Sequence, residues 1–249
     1  MKIKQAVIFA GGRGERLRPL TDNIPKPMVP VAGQPFLDYL LASLVNAGIS
    51  KVLILVGYRA DVIMNHYGNG AGYGFLIDYS VGTAEDLTGR RLINAYDQLE
   101  DHFLLLYGDN YWPVPINDMA TNYQRLRVPV TTTVFSNKQG TGEYGFENNI
   151  AISETGLVKT YDKKRRLADL NGVDVGYFIV DKSVLNPDEP GNFSFEEKVL
   201  TQLVEQRRLG AFVTDEQYYF VTSVSTLRNF ERYAVVNKIL SITGEMAKP

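Results

Sequence analysis

The sequence predicts an α/β protein with a doubly wound, mostly parallel sheet and a small β-rich second lobe. Three observations predict it. Short, wholly apolar runs alternate with helix-period segments through the first half, the pattern of strands buried on both faces between helices. Gly11, Gly57 and Gly108 follow three of those runs, and in open α/β sheets ligands bind in the crevice beyond the carboxyl ends of the strands. The second half mixes strand-like runs with longer connections. At 249 residues and 45% hydrophobic, the chain is long enough for one domain with a sizeable core. Residues 1–249 are read as one domain with halves of about 1–125 and 126–249.

In order, Ala6 to Phe9 is the first strand. Phe36 to Ala47 carries Phe36, Leu37, Leu40, Leu41, Leu44 and Val45 at helical spacing, with Gly48 as its stop. Lys51 to Val56 is the second strand and Asp61 to Tyr67 a short helix ended by Gly68. Phe75 to Ser80 is a third strand. A helix from about Leu92 to Leu99 leads into the run His102 to Tyr107. Further on, Val128 to Phe135 is strand-like. Gly145 to Ile152 and Leu157 to Tyr161 pair around a Glu154-Thr155-Gly156 turn. Asp174 to Val180 is a strand, Phe195 to Glu205 a helix and Tyr218 to Val224 a late strand. An amphipathic helix, Thr226 to Ile242, closes the chain, leaving a homodimer open, and the tail Gly244 to Pro249 is expected to fray.

Composition removes several functions. With no cysteine, disulfides, thiolate metal sites and Cys nucleophiles are excluded. The two histidines, His66 and His102, are too few and too far apart in sequence to suggest a His-based metal site. A net charge of -2 gives no general case for nucleic acid or membrane as a partner. Met1 leads into a strand after a few polar residues, with no signal-peptide pattern, and no apolar run reaches a membrane span. A cytoplasmic protein is the expectation.

The chemistry concentrates in Ala10 to Met28, AGGRGERLRPLTDNIPKPM. Gly11, Gly12 and Gly14 let the backbone turn sharply and approach a phosphate, and successive amides there can form an anion nest. Arg13, Arg16, Arg18 and Lys26 surround it with positive charge, which suits a triphosphate. The spacing is neither that of a P-loop nor that of the dinucleotide fingerprint: no Gly-Lys pair follows, and Gly12-Arg13-Gly14 is followed by Glu15, Arg16 and Leu17. A carboxylate at the end of a buried strand, Asp109 after Gly108, suits a divalent ion that bridges phosphate oxygens, as phosphoryl chemistry on a triphosphate needs. Gly-Asp-Asn is also a common turn composition.

The run GGRGERLRPLT followed by PKPM resembles the sugar-1-phosphate nucleotidyltransferases, with the short heptose-1-phosphate guanylyltransferases most similar and the mannose-1-phosphate and N-acetylmuramate-1-phosphate enzymes close to them. The resemblance covers nearly the whole chain: Val56-Gly57-Tyr58-Arg59, Tyr107-Gly108-Asp109-Asn110, Glu143-Tyr144-Gly145, Tyr161-Asp162-Lys163-Lys164, Val173 to Tyr177 and Phe193-Ser194-Phe195-Glu196 each match a family segment. It implies a Rossmann-like nucleotidyltransferase fold with a small sugar-binding lobe, and transfer of a nucleotidyl group from an NTP to a sugar 1-phosphate. GTP with heptose or mannose 1-phosphate is the first expectation. It implies Mg²⁺ on Asp109, catalytic roles for Arg16, Lys26 and Asp109, and nucleotide contacts from Ala10, Gly11, Gly12, Gly14, Gly57, Thr88 and Gly108. The sugar phosphate falls to Lys164, Asp174, Gly176, Glu196 and Arg90. Lys163 and Lys164 are not separable by sequence, and Ser194 with Glu197 also reads as a helix capping box.

Three departures stand against the family pattern. Ser223 occupies the position of a second metal aspartate. Leu87 and Arg90 replace glycines in the loop that touches base and sugar. Asp174 stands where Asn is usual. They keep two other readings open: a diverged module that binds nucleotide or NDP-sugar without turnover, and a cytidylyltransferase acting on a non-sugar phosphate, with Arg90 and Arg91 building its acceptor pocket.

Overall fold

A computed structural model describes residues 1–244; residues 245–249, in the tail expected to fray, lie outside the described residues. In chain order the strands are β1 (Gln5–Ala10), β2 (Pro30–Val31), β3 (Gln34–Pro35), β4 (Lys51–Val56), β5 (Leu76–Val81), β6 (His102–Tyr107), β7 (Asn110–Tyr111), β8 (Val130–Phe135), β9 (Ile150–Ile152), β10 (Val158–Tyr161), β11 (Val173–Asp181), β12 (Leu209–Thr214) and β13 (Tyr219–Phe220). The α-helices are α1 (Phe36–Asn46), α2 (Ala60–Tyr67), α3 (Thr88–Asn94), α4 (Ile116–Leu126), α5 (Thr201–Glu205) and α6 (Val224–Val236). The chain forms two compact units. The first holds Lys4–Asp86, Tyr107–Val114 and the chain from Tyr219 onward; the second holds Met1–Ile3, Leu87–Leu106 and Pro115–Tyr218.

In the first unit β1, β4 and β5 pair in parallel, with Gln5 opposite Lys51 and Lys51 opposite Leu76. Every residue of β1 is buried, as is all of β4 but Lys51. This explains their unbroken apolar runs: a parallel strand covered on both faces has no solvent side to alternate with. Helix α1 stops where Gly48 takes φ +83°, and α2 stops at Gly68 with φ +54°, a left-handed turn that a side chain would resist. Phe36 and Tyr39 of α1 meet Phe230 of α6 edge-on, at 5.0 and 5.6 Å between ring centroids. That geometry suits the aromatic quadrupole and ties the C-terminal helix to this unit's core.

In the second unit β8 pairs in parallel with β12, while β11 runs antiparallel to both β8 and β6. The long strands are therefore mostly parallel, as the alternation predicts, with β11 the reversed member. Strand β11 slips register between Asp174 and Phe178, where Gly176 takes φ +81°. Strands β9 and β10 form the expected hairpin, with Gly156 at φ +84° in its turn. Phe195 packs edge-on against Phe178, and Tyr218 against Phe135.

Several boundaries differ from the sequence reading. The helix expected over Leu92 to Leu99 begins at Thr88, ends at Asn94 and gives way to a separate 3-10 turn over Tyr96–Gln98. Phe195 to Glu205 is a π-turn over Phe195–Leu200 followed by α5. The late strand shrinks to Tyr219–Phe220, because Ser223 caps α6 and starts the helix at Val224. Helix α6 stops at Val236 rather than Ile242, with Lys238 at φ +51° just beyond. Helix α4 and strand β12 are additional elements. Among the described residues, no helix is long and apolar enough to cross a membrane.

Candidate functional site

The glycine run leaves β1 at Ala10 and lines a cavity of about 520 Å³ in the first unit, together with Arg13, Arg16, Lys26, Gly108 and Asp109. Its glycines do different work. Gly14 takes φ +65°, caps the 3-10 turn Glu15–Leu17, and accepts hydrogen bonds from Leu17 N–H and the Thr21 hydroxyl, each at 2.9 Å. A Cβ on Gly14 would stand 2.9 Å from Lys26 Cβ and 3.2 Å from Thr21 Cγ2. A Cβ on Gly12 would meet nothing within 4 Å, so its backbone faces open cavity. Gly11 is buried, and its carbonyl accepts from Tyr58 N–H at 2.9 Å. Gly57 follows β4 and accepts from Ala60 N–H. Gly108 donates to the Phe9 carbonyl at 2.9 Å, and a Cβ there would lie 2.6 Å from that oxygen. Gly108 therefore brings the end of β6 against the end of β1, delivering Asp109 to the cavity.

Pro25 and Pro27 bracket Lys26 on a 3-10 turn, and Lys26 Nζ forms an ion pair with Asp109 Oδ2. Both side chains are largely buried, at 15% and 28% exposure, so the pair sits where charge attraction is weakly screened. The Asp109 carbonyl accepts from Val221 N–H at 2.8 Å, which brings the start of α6 beside the aspartate's strand. Two residues on, Ser223 spends its hydroxyl on a capping box: its Oγ accepts from Thr226 N–H while its own N–H donates to Thr226 Oγ1 at 2.9 Å. Among the described residues no group of three or more His, Cys, Asp or Glu could hold a metal ion.

The second unit holds another cavity, of about 220 Å³, lined by Tyr161, Asp162, Lys163, Lys164, Glu196, Glu197 and Thr201. Glu196 is buried at 1% exposure. Its Oε2 accepts from the Thr88 hydroxyl at 2.7 Å and from the Ser194 hydroxyl, and lies 3.6 Å from Lys163 Nζ. Thr88 Oγ1 in turn accepts from Phe195 N–H at 2.9 Å, so α3 and the turn that carries Glu196 are tied together. Gly89 is needed for this approach, because a Cβ there would come within 2.2 Å of the Phe193 ring. Asp162 shapes the basic turn after β10: its oxygens accept from the backbone N–H groups of Lys164, Arg166 and Leu167. Desolvation is the largest single influence and opposes ionisation, but the backbone amides of Leu167, Arg166, Lys164 and Arg165 together outweigh it and hold the Asp162 carboxyl below its ordinary range.

Asp174 lies deeper. Its Oδ1 accepts from Thr132 and from Gly176 N–H at 2.8 and 2.9 Å, and its Oδ2 from the Tyr161 hydroxyl at 2.7 Å. Burial pushes its carboxyl above the ordinary value despite those donors. Arg90 directs Nε to the Gly191 carbonyl and Nη2 to the Glu189 carbonyl, each at 2.6 Å, and so holds the 189–191 loop. The structure thus gathers Ala10, Gly12, Gly14, Arg16, Lys26, Gly108 and Asp109 around one cavity of the first unit. Lys164, Glu196 and Thr88, with Asp174 and Gly176 joined through Tyr161, belong to the second. Sequence alone assigns no site role to Tyr161 or Ser194 and does not separate Lys163 from Lys164; in the structure Lys163 is the lysine that approaches Glu196. The Ser194 capping pattern was visible, but its second bond, to Glu196, needs the folded turn.

Several known proteins are similar to this chain over most of its length. A D-glycero-alpha-D-manno-heptose 1-phosphate guanylyltransferase of Aneurinibacillus thermoaerophilus is 27% identical over 220 residues, 87% of this chain and 91% of that one. A UTP--glucose-1-phosphate uridylyltransferase of Haloferax volcanii is 36% identical over 123 residues, 49% of this chain and 50% of its own. Among solved structures, HddC from Yersinia pseudotuberculosis complexed with GMP-PN superposes with a TM-score of 0.77 at 24% identity, over 93% of this chain and 99% of that one, and shares the fold. The nucleotidyl transferase family model matches residues 5–223; with the glycine run, Lys26 and Asp109 all inside that span, the chain belongs to the nucleotidyl transferase family.

Proposed function

We propose that this nucleotidyltransferase joins an NTP to a sugar 1-phosphate, forming an NDP-sugar and releasing pyrophosphate. The observation that carries the reading is the first-unit cavity, where an open glycine backbone, Arg16 and the Lys26–Asp109 pair converge. An oxygen of the sugar phosphate attacks the α-phosphorus of the NTP. The bond from that phosphorus to the bridging oxygen breaks, and pyrophosphate leaves with the electron pair. A phosphate monoester has its second pKa near about 6, so the attacking oxygen is anionic at neutral pH and no general base is required. Catalysis is then positioning and charge neutralisation. Ala10, Gly11, Gly12 and Gly14 form the cradle for the triphosphate, and Gly57 and Gly108 shape its surroundings. Arg16 and Lys26 balance its charge.

Asp109 also fits a magnesium ion. Magnesium binds through one or two carboxylates plus substrate phosphates and keeps several waters. A carboxylate has about four lone-pair sites, and Lys26 engages only Oδ2. The ion, held by Asp109 and phosphate oxygens, would neutralise charge on the leaving group. In the second unit Lys164 takes the sugar phosphate and Glu196 the sugar hydroxyls. Thr88, Asp174 with Gly176, and Arg90 hold the surrounding loops in place. Guanylyltransferases acting on heptose 1-phosphate among the relatives support GTP and a heptose or mannose 1-phosphate as the pair to try first. A cytoplasmic location agrees with an NTP substrate.

The test is pyrophosphate release with Mg²⁺ across GTP, ATP, UTP, CTP and dTTP and a panel of sugar 1-phosphates. Turnover with one pair, abolished by Asp109→Ala in a folded protein, is expected; full turnover by that variant would remove Asp109 from the mechanism. The second reading, binding without turnover, is favoured by one observation: Ser223 supplies a helix cap where a second carboxylate would serve the metal. Nucleotide binding without pyrophosphate release from any pair would establish it.

A further inference from the structure

The reaction above gives Arg13 no task, yet Arg13 lies between Gly12 and Gly14 and lines the first-unit cavity. Its Nη2 meets Glu85 Oε1 at 2.5 Å, and its guanidinium lies 5.6 Å from the centre of the Tyr58 ring. Tyr58 follows β4 and Glu85 follows β5. All three residues therefore stand at the carboxyl end of the parallel β1-β4-β5 array, where open α/β sheets bind their ligands. Both partners of Arg13 sit on hydrogen-bonded supports. Tyr58 donates its N–H to the Gly11 carbonyl and its hydroxyl to the Asp22 carbonyl at 2.6 Å. Thr83 bonds Asp86 through both N–H and hydroxyl, each at 2.9 Å, which fixes the loop that carries Glu85. Arg13 and Glu85 remain open to water, at 43% and 67% exposure. Such a pair adds little to stability, and its Arg13 member lines the cavity while Glu85 flanks it through that contact, which calls for another reason.

The pair has a directional pattern. Arginine offers only donors and an ionised carboxylate only acceptors. Side by side they complement a ligand edge that presents one acceptor and then two donors. Guanine has that edge: O6 accepts, and N1–H and N2–H₂ donate. Uracil and thymine present acceptor, donor, acceptor; cytosine presents donor, acceptor, acceptor; adenine presents a donor beside an acceptor. We propose that the Arg13–Glu85 pair reads the Watson–Crick edge of a guanine base, Arg13 donating to O6 and Glu85 accepting from N1–H and N2–H₂. This rests on the reading of the first-unit cavity as a nucleotide site and names its base. The Arg13 hydrogen bond holds the Glu85 carboxyl below its ordinary range, which keeps it an acceptor at neutral pH.

The test is calorimetric binding of GTP, ITP, ATP and UTP to the whole chain and to its Glu85→Gln variant. ITP lacks the 2-amino group and is otherwise identical to GTP. The wild-type protein is expected to bind GTP about tenfold more tightly than ITP, the scale of one hydrogen bond lost to a charged acceptor. Glutamine cannot accept from both guanine donors through one oxygen while its amide N–H₂ faces the other, so the variant's GTP-to-ITP ratio should fall toward one. Equal binding of GTP and ITP by the wild-type protein, an unchanged ratio in Glu85→Gln, preference for UTP or ATP, or no nucleotide binding would each overturn the assignment. Guanine-selective binding lost in Glu85→Gln, but with no pyrophosphate release from any sugar 1-phosphate, would defeat the transferase reading and leave the base assignment standing.

Discussion

Alanine at Gly12 and alanine at Gly14 should have opposite consequences, although the two positions are separated by a single residue. At Gly14 the backbone is left-handed, with φ +65°, which costs an L-residue about 1–2 kcal/mol. The new methyl would also lie 2.9 Å from Lys26 Cβ and 3.2 Å from Thr21 Cγ2, so the Lys26 turn must give way. Together these predict a loss of about 2–3 kcal/mol. In a chain of this length that lowers the melting temperature by roughly 4–12 °C. Because the displaced neighbour is Lys26, NTP binding should weaken as well. At Gly12 there is no positive φ and nothing within 4 Å of a Cβ. Alanine there restricts the unfolded chain and should leave stability unchanged or raise it by about 0.5 kcal/mol. Its methyl fills the space a phosphate would approach, so NTP affinity should fall about tenfold or more. Thermal unfolding beside nucleotide titration separates the two. A Gly14→Ala protein as stable as wild type, or a Gly12→Ala protein with normal NTP affinity, would refute the division of labour drawn for this loop.

Glu196→Gln keeps the side-chain shape but removes the charge that Lys163, Thr88 and Ser194 surround. The KM for sugar 1-phosphate should rise about tenfold while NTP affinity is unchanged, with about 1–2 kcal/mol of stability lost, read by steady-state kinetics and thermal unfolding. Asp174 has a folded-state pKa raised above its unfolded value by burial. Its contribution to stability is thus fully present below the unfolded pKa and is lost as pH rises through the folded one. Asp174→Asn should stabilise the protein at neutral pH and flatten the loss of melting temperature between acid and neutral pH; an unchanged profile would contradict the sign. Ser223→Ala should cost about 1 kcal/mol through the lost cap. Ser223→Asp should keep the cap, since aspartate also caps well, and lower the Mg²⁺ concentration needed for half-maximal turnover. Equal Mg²⁺ dependence would show that position 223 does not face the ion.

Where burial is uniform or strictly periodic, the sequence carried the fold. The runs over Val7 to Phe9, Val52 to Val56 and Phe103 to Leu106 are buried throughout, and their shortness and the glycines that follow them favour covered strands over helices. Helix α4 shows where reading failed: Ile116, Met119, Ala120 and Tyr123 do keep helical spacing, but prolines precede them and polar residues outnumber them. Strand β12 follows two arginines, and its burial fades along its length, so it lacked a clear pattern. The end of α6 depends on Lys238 taking a left-handed conformation, which no residue type announced. The grouping of the glycine run, Lys26 and Asp109 around one cavity was legible because unusual residues stand at fixed spacing directly after buried strands. The ties from Thr88 and Ser194 to Glu196, the enclosure of Asp174 by Tyr161 and Thr132, and the Arg13–Glu85 pair join positions far apart in sequence through ordinary residue types. Only the fold brings them together.

The most direct measurement is product stoichiometry. GTP, Mg²⁺ and the preferred sugar 1-phosphate are incubated with the protein, and pyrophosphate and NDP-sugar are quantified together by ³¹P spectroscopy and mass. Nucleotidyl transfer predicts one NDP-sugar for each pyrophosphate, and no pyrophosphate without the acceptor. Pyrophosphate formed without acceptor, or no product from any NTP and sugar 1-phosphate, would contradict it.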